Sequence, residues 1–218
     1  KYRTANWHSW SNDNDKQPFA SIYTSLGCPY KCTFCMINAP FGINTFRYWD
    51  PEFMITEFDK LAEMGITNIK IADELFVLNP NHFMRLCDLI IERGHKFNIW
   101  CYARIDTVKP KYLKTLKAAG VNWLALGIES ANTVVRKDVV KGKFEDVNIR
   151  DIVGEIRDAG INVIGNFIFG LPEDNQETMQ ETLDLSKELN CEMINFYSAM
   201  AYPGSKLYDL AVEDEAPL

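Results

Sequence analysis

The chain has few histidines, no long basic run and no long apolar run, and each shortage closes off a class of function. Of its 218 residues only three are histidine, no run of Lys or Arg exceeds two, and nothing approaches the roughly 18 consecutive apolar residues of a membrane helix. With a formal charge of -7 the chain lacks the basic footprint that nucleic acid requires. The first residues, KYRTANWHSWSNDNDKQ, have no signal-peptide apolar core, so the expectation is a soluble cytoplasmic protein with neither nucleic-acid nor membrane partners. Scarce histidine also weakens a hydrolase built on Ser130, which has no His nearby in the sequence. Linkers and low-complexity segments are absent too, so residues 19–218 are expected to form one core domain behind an N-terminal extension, 1–18, whose NWHSW segment caps that core or anchors the chain surface. The chain starts at Lys1 without Met and ends in VEDEAPL, which suggests a piece of something longer.

What is present is ample core material: 47% hydrophobic residues, 12% of the chain aromatic. Short apolar runs alternate with longer amphipathic ones, the pattern of parallel βα units. Strands are expected at Phe19–Leu26, Asn68–Ala72, Phe97–Tyr102, Trp123–Gly127, Asn162–Phe169 and Met193–Ser198, with five helical segments between them. Asn79 before Pro80 predicts a capped helix with Phe83, Leu86, Cys87, Ile90 and Ile91 on one face and Gly94 at its end. Asp174 with Glu177 predicts a capping box on a helix carrying Met179 and Leu183 inward. MGITN, AGVNW and AGINV each place a helix-stopping Gly before a strand. The fold class is α/β; six parallel strands with right-handed crossovers give a doubly wound sheet or a partial (β/α)6 TIM-like barrel, of which the barrel is the expectation, and both put their chemistry at the strand C-terminal ends.

Unusual residues fall at those ends: Cys28 after the first strand, Ala72 to Glu74 after the second, Tyr102 to Asp106 after the third, Gly127 to Ser130 after the fourth and GLPED, 170–174, after the fifth. Cys28, Cys32 and Cys35 sit within SLGCPYKCTFCMINAPFG, shaped by Gly27 and Pro29, with Phe34 placed to exclude water. Three thiolates on one loop leave a metal centre with a vacant position, whereas structural zinc and most iron-sulfur clusters take four ligands. A zinc knuckle completed by His8, or a four-cysteine cluster recruiting Cys101 or Cys191, would fill the fourth place instead. Cys87, Cys101 and Cys191 lie singly in apolar runs and read as small core residues.

Cys-x3-Cys-x2-Cys with an aromatic before its last cysteine, just after the first strand, resembles the radical S-adenosylmethionine (SAM) enzymes. IADELF, GIES followed by VVKG, GNFIFGLPED and AYPGSKLY are most similar to the subgroup whose members often carry an N-terminal cobalamin-binding domain. The resemblance implies a [4Fe-4S] cluster on Cys28, Cys32 and Cys35, its fourth iron chelated by SAM. It further implies that Ala72, Asp73 and Glu74 meet the SAM ammonium, that Glu129 and Ser130 meet the ribose, and that Gly165, Asn166 and Ile168 meet the adenine. Arg104 is a candidate for the SAM carboxylate, or else pairs with Asp106 or Asp73. By alternation Trp100, Tyr102, Asn166, Asn195 and Tyr197 face the central cavity or pack within it.

What this implies for function is reductive cleavage of SAM to a 5'-deoxyadenosyl radical that abstracts hydrogen from a small-molecule or peptide substrate, with a flavodoxin or ferredoxin as electron donor. Methylation and cyclisation are the reactions such relatives suggest. No Asp-x-His-x-x-Gly stretch is present, so cobalamin is expected only through a domain outside this chain. A structural zinc or electron-transfer module is the alternative.

Overall fold

The computed structural model describes residues 18–139 and 148–214. In chain order the elements are β1 Phe19–Ile22, β2 Ser25–Leu26, β3 Arg47–Tyr48, α1 Pro51–Glu63, β4 Asn68–Ile71, α2 Pro80–Glu92, β5 Asn98–Arg104, α3 Pro110–Ala118, β6 Val121–Glu129, α4 Thr133–Val139, α5 Ile149–Asp158, β7 Asn162–Phe169, α6 Gln176–Leu189, β8 Met193–Ser198 and α7 Lys206–Glu213. The NWHSW segment, the VVKG motif beyond Val139 and the last four residues lie outside the described residues.

Six strands form one parallel sheet in the order β1-β4-β5-β6-β7-β8. The order never reverses, which separates this fold from a doubly wound sheet, where a reversal creates the binding crevice. With right-handed crossovers, one-way winding puts successive helices on one face. Accordingly α1 packs on α2, α2 on α3 and α3 on α5. Among the described residues β1 and β8 remain the two sheet edges, so the fold is an open partial barrel.

Strand alternation then sorts the residues into two layers. Ile69, Ile71, Ile99, Cys101, Leu124, Leu126, Val163 and Phe167 point into the helix-side core. A smaller cluster of Trp123, Ala125 and Ile164, packed by Trp100, Tyr102 and Met193, lines the concave side. At its N-terminal end an amide ladder closes this side: Asn122 donates to Asn98 and Asn98 to Asn68, each at 3.0 Å. Such side-chain pairs help pin the register of adjacent strands.

The structure departs from the sequence reading in instructive places. The first strand ends at Ile22, because Thr24 and Ser25 turn away to bond Asp73, and Ser25–Leu26 instead pairs antiparallel with Arg47–Tyr48. The five expected helical connections are all present, the one from β6 to β7 holding both α4 and α5, and among the described residues α7 follows the last strand as an addition. The capping box of α6 belongs to Asn175 and Thr178, one residue later than Asp174 and Glu177, because Asp174 accepts from the Gly170 and Leu171 amides at 3.0 and 3.1 Å. The buried face of α6 is Thr178, Thr182, Leu185, Ser186 and Leu189, with Met179 and Leu183 half-buried beside it. On α2 Ile91 is exposed, while His82 and Leu89 join the inner face. All three repeated helix-stopping glycines adopt a left-handed backbone. Gly120 needs it most, since a Cβ there would lie 2.3 Å from the Phe97 carbonyl oxygen.

Candidate active site

The cysteine loop leaves the β2 end through Gly27, whose φ of +84° and close approach to the Thr45 carbonyl exclude any side chain. Asn38 holds the loop closed: its amide donates to the Cys28 carbonyl at 2.8 Å, and its own oxygen accepts from the Cys28 amide at 3.3 Å. Asn44 donates to the Tyr30 carbonyl, and the Cys35 amide closes a turn on the Cys32 carbonyl at 3.1 Å. From the far end of the chain, the Leu207 amide donates to the Thr33 carbonyl, so the AYPGSKLY segment buttresses the loop. Together these residues border an open cavity of about 440 Å³ lined by the three cysteines, Asn38, Gly204 and Lys206.

All three thiols are free. Burial raises the pKa of each, pushing Cys32 to about 12, with the neighbouring Cys35 charge adding to it. Cys28 is raised by burial, partly offset by its hydrogen bond to the Tyr30 backbone, and then by Cys35. Cys35 is raised by burial and, after relief from the Ile37 backbone, by the carboxylates of Glu129 and Glu74. Three crowded thiols that resist ionisation favour a cationic centre that replaces their protons.

Charged side chains converge on this loop from three strand ends. Glu74 accepts from the Gly27 amide at 3.0 Å. Arg104 lies 3.4 Å from the Tyr30 ring centroid, and Asp106 grips it through Nε and Nη2, both at 2.5 Å. Burial opposes the Arg104 charge, yet the Asp106 bonds outweigh it and its pKa stays raised. Glu129 ends β6 with a left-handed φ of +66°, at a register shift between Gly127 and Glu129. That conformation is uncommon for a residue with a side chain and stores strain. A Cβ at Gly127 would lie 2.5 Å from Glu129 Oε1, so the glycine makes room for this carboxylate. Burial raises Glu129 to about 7, against the pull of Arg104.

Other expected site residues are placed differently. Asp73 is fully buried and accepts 2.6 Å bonds from the Thr24 amide, the Thr24 hydroxyl and the Ser25 hydroxyl, so it fastens β2 to the β4 end. The Ala72 amide donates to the Ile22 carbonyl. Ser130 is buried 3.1 Å from the Thr182 hydroxyl, directed at α6. Gly165 lies on the helix side, where a Cβ would meet the Phe167 ring at 3.0 Å. Asn166 faces the concave side, donating to the Leu126 carbonyl and accepting from Asn195 at 3.0 Å, and Ile168 is half-buried opposite Tyr197. Cys101 and Cys191 are buried in the helix-side core. His82 packs against Phe46 and Tyr48, and His95 pairs with Asp59; His8 lies outside the described residues. Sequence reading missed Asn38 and Tyr30, whose only signal was position within the cysteine motif, whereas the Arg104–Asp106 pair is one of the alternatives it named.

Among the described residues no three His, Cys, Asp or Glu side chains converge as closely as a single metal ion requires. Thiols spread along one loop suit a cluster whose irons each take one thiolate. The buried Thr33 hydroxyl, between Cys32 and Phe34, has no hydrogen-bond partner, which leaves a donor available on the same loop.

The family model described as Radical SAM superfamily matches residues 22–186. An uncharacterized methyltransferase of Pyrococcus horikoshii is 31% identical over 91% of this chain and 43% of that protein. The hopanoid C-2 methylase of Rhodopseudomonas palustris is 29% identical over 89% of this chain and 38% of its own length. The chain thus spans about two fifths of the curated relatives it matches. Among solved structures, the radical S-adenosylmethionine methyltransferase TsrM from Kitasatospora setae, with cobalamin and [4Fe-4S] cluster bound, superposes with a TM-score of 0.80 at 22% identity, covering 90% of this chain and 39% of that one.

Proposed function

The chain belongs to the radical SAM superfamily, and from that premise we propose that it is the catalytic core of an enzyme that cleaves SAM reductively to functionalise carbon, by methylation or cyclisation. The observation that carries the reading is the convergence of Glu74, Arg104 and Glu129 on a loop of three free thiols. Cys28, Cys32 and Cys35 would hold a [4Fe-4S] cluster, which when bound and reduced would supply the electron for splitting SAM into methionine and a 5'-deoxyadenosyl radical able to abstract hydrogen from a substrate.

In this reading Cys28, Cys32 and Cys35 hold three irons, and Phe34, packed against the helix-side core, screens them from water. SAM carries an ammonium, a carboxylate and a ribose, and the three strand ends offer complementary groups. Glu74 takes the ammonium, because every acceptor bond of Asp73 goes to Thr24 and Ser25, and Ala72 contributes backbone beside it. Arg104, oriented by Asp106 and Tyr30, takes the carboxylate. Glu129 accepts from the ribose hydroxyls; its left-handed backbone aims the carboxylate toward the loop, while Ser130 anchors that turn to α6. Asn166 and Ile168 supply the wall for the adenine, and Gly165 lets Phe167 pack behind it.

The relatives include methylases, methyltransferases and a cyclase, and one solved neighbour binds cobalamin. Cobalamin would reach this site through another domain, since the chain offers no His motif for it. The six free thiols suit the reducing cytoplasm, where a flavodoxin or ferredoxin supplies electrons. The test is anaerobic reconstitution, reduction with dithionite and quantification of 5'-deoxyadenosine after SAM is added. Product from the native chain and none from the triple alanine variant of Cys28, Cys32 and Cys35 supports the reading. A native chain that binds zinc, or an iron cluster indifferent to SAM, makes it a structural or electron-transfer module.

A further inference from the structure

The concave side holds one charged group that SAM recognition leaves unused. Lys70, on β4, places its ammonium 4.3 Å from the Trp100 ring centroid and 5.2 Å from that of Tyr102. It is half-buried, and burial alone holds its pKa below the ordinary lysine value. No carboxylate among the described residues pairs with it. Ring faces offset only part of the solvation an ammonium loses on burial. Arg104, the neighbouring cation along the concave side, is held by Asp106 and assigned above to the SAM carboxylate.

Strand register places Lys70 beside Trp100, and Trp100 beside Trp123, one level above the amide ladder. Arg104, Gly127 and Asn166 share a higher level, toward the cysteine loop. The carboxylate of SAM, bound near the thiols, belongs to that upper level, so Lys70 at the floor awaits a different anion. We infer that Lys70, with Trp100, Tyr102 and Trp123, receives the carboxylate end of a planar aromatic acid, the substrate class of the site proposed above, on which this inference rests. A single ammonium balances a monoanion, whereas a phosphate dianion needs further donors beside a lysine, such as Arg forks or a helix N-terminus. Tilted rings, 5.3 Å apart at Trp100 and Tyr102, match a flat apolar body. From the level of Tyr102 to that of Arg104 the strand rises about 7 Å, a span that one or two fused rings fill. The far end of such an acid would meet the Asn166–Asn195 amide pair, at the level of Arg104.

The probes are 2-naphthoate and its uncharged counterpart 2-naphthamide, titrated into the full chain and followed by ligand-observed NMR. The native chain should bind the acid about tenfold more tightly than the amide, Lys70→Met should abolish that preference, and Lys70→Arg should retain it. No preference in the native chain, whether both probes bind alike or neither binds, overturns the inference, as does a preference that survives Lys70→Met. Should the Met variant fail to fold, the native comparison and Lys70→Arg decide. Formation of 5'-deoxyadenosine without substrate reads the SAM chemistry separately. Lost acid preference with SAM cleavage intact removes the subsite alone, and an intact preference with no SAM cleavage removes the radical reading alone.

Discussion

Replacing Glu129 by Gln tests the electrostatics of the site through stability. Burial lifts the Glu129 pKa from its ordinary 4.5 to about 7 in the cluster-free fold. Between those values the folded chain keeps a proton that the unfolded chain has released, so stability falls as pH rises through this window. At about 1.4 kcal/mol per pH step, the loss reaches roughly 3 kcal/mol above pH 7 and is absent below 4.5. Gln carries no such dependence, and other groups titrate alike in both chains, so the difference between them isolates residue 129. Urea unfolding at pH 5 and pH 8 should show Glu129→Gln gaining about 2 to 3 kcal/mol on the native chain between the two conditions. With the cluster loaded, the same variant should bind SAM more weakly, because Gln retains one acceptor but loses the charge. Parallel stability curves would refute the buried-carboxylate account, and unchanged SAM affinity would make Glu129 a purely structural residue.

Other residues separate architecture from chemistry. Asp73→Ala removes an acceptor of three buried bonds and should cost about 3 kcal/mol or more in urea unfolding. Glu74→Gln should change stability by less than about 1 kcal/mol while weakening SAM binding in equilibrium dialysis, and the reverse ranking would exchange their roles. Gly27→Ala forces a Cβ to 2.3 Å from the Thr45 carbonyl at a left-handed φ, so iron retained after reconstitution should fall sharply; full retention would mean the loop adapts. Cys32→Ala should lose the cluster's visible absorbance and all SAM cleavage while far-ultraviolet circular dichroism stays native, and residual cleavage would remove Cys32 from the ligand set.

Much of the fold was legible because apolar alternation is a local signal. The bounds of β7 and β8 and the six strands of the parallel sheet follow from it directly, and the helix cap at Asn79 follows from the proline after it. The failures share one cause, which is competition for hydrogen bonds, near or far along the chain, that apolar alternation does not report. The first strand looked longer because Thr24 and Ser25 read as β-compatible, and nothing local discloses that Asp73, 48 and 49 residues away, takes their bonds. Asp174 and Asn175 both fit a helix cap, and the choice rests on the Gly170 and Leu171 amides, which claim Asp174 first. At the site, the cysteines were visible from spacing alone. The distinction between Asp73 and Glu74 depended on the bonds that Thr24, Ser25 and Gly27 make to them, and the turn of Ser130 toward α6 on the left-handed Glu129 and a register shift that interrupt the alternation. Lys70 gave no warning because one lysine in an apolar strand reads as a solvated position until the neighbouring strands supply Trp100 and Tyr102.

The central claim is that three thiolates leave one iron open to SAM, and the most direct measurement is the electron paramagnetic resonance spectrum of the reduced cluster before and after SAM is added. A reduced [4Fe-4S] signal that shifts with SAM in the native chain, and shifts less at the same SAM concentration in Glu74→Gln, is the predicted result. A fully loaded cluster whose spectrum is unmoved by saturating SAM would contradict the account.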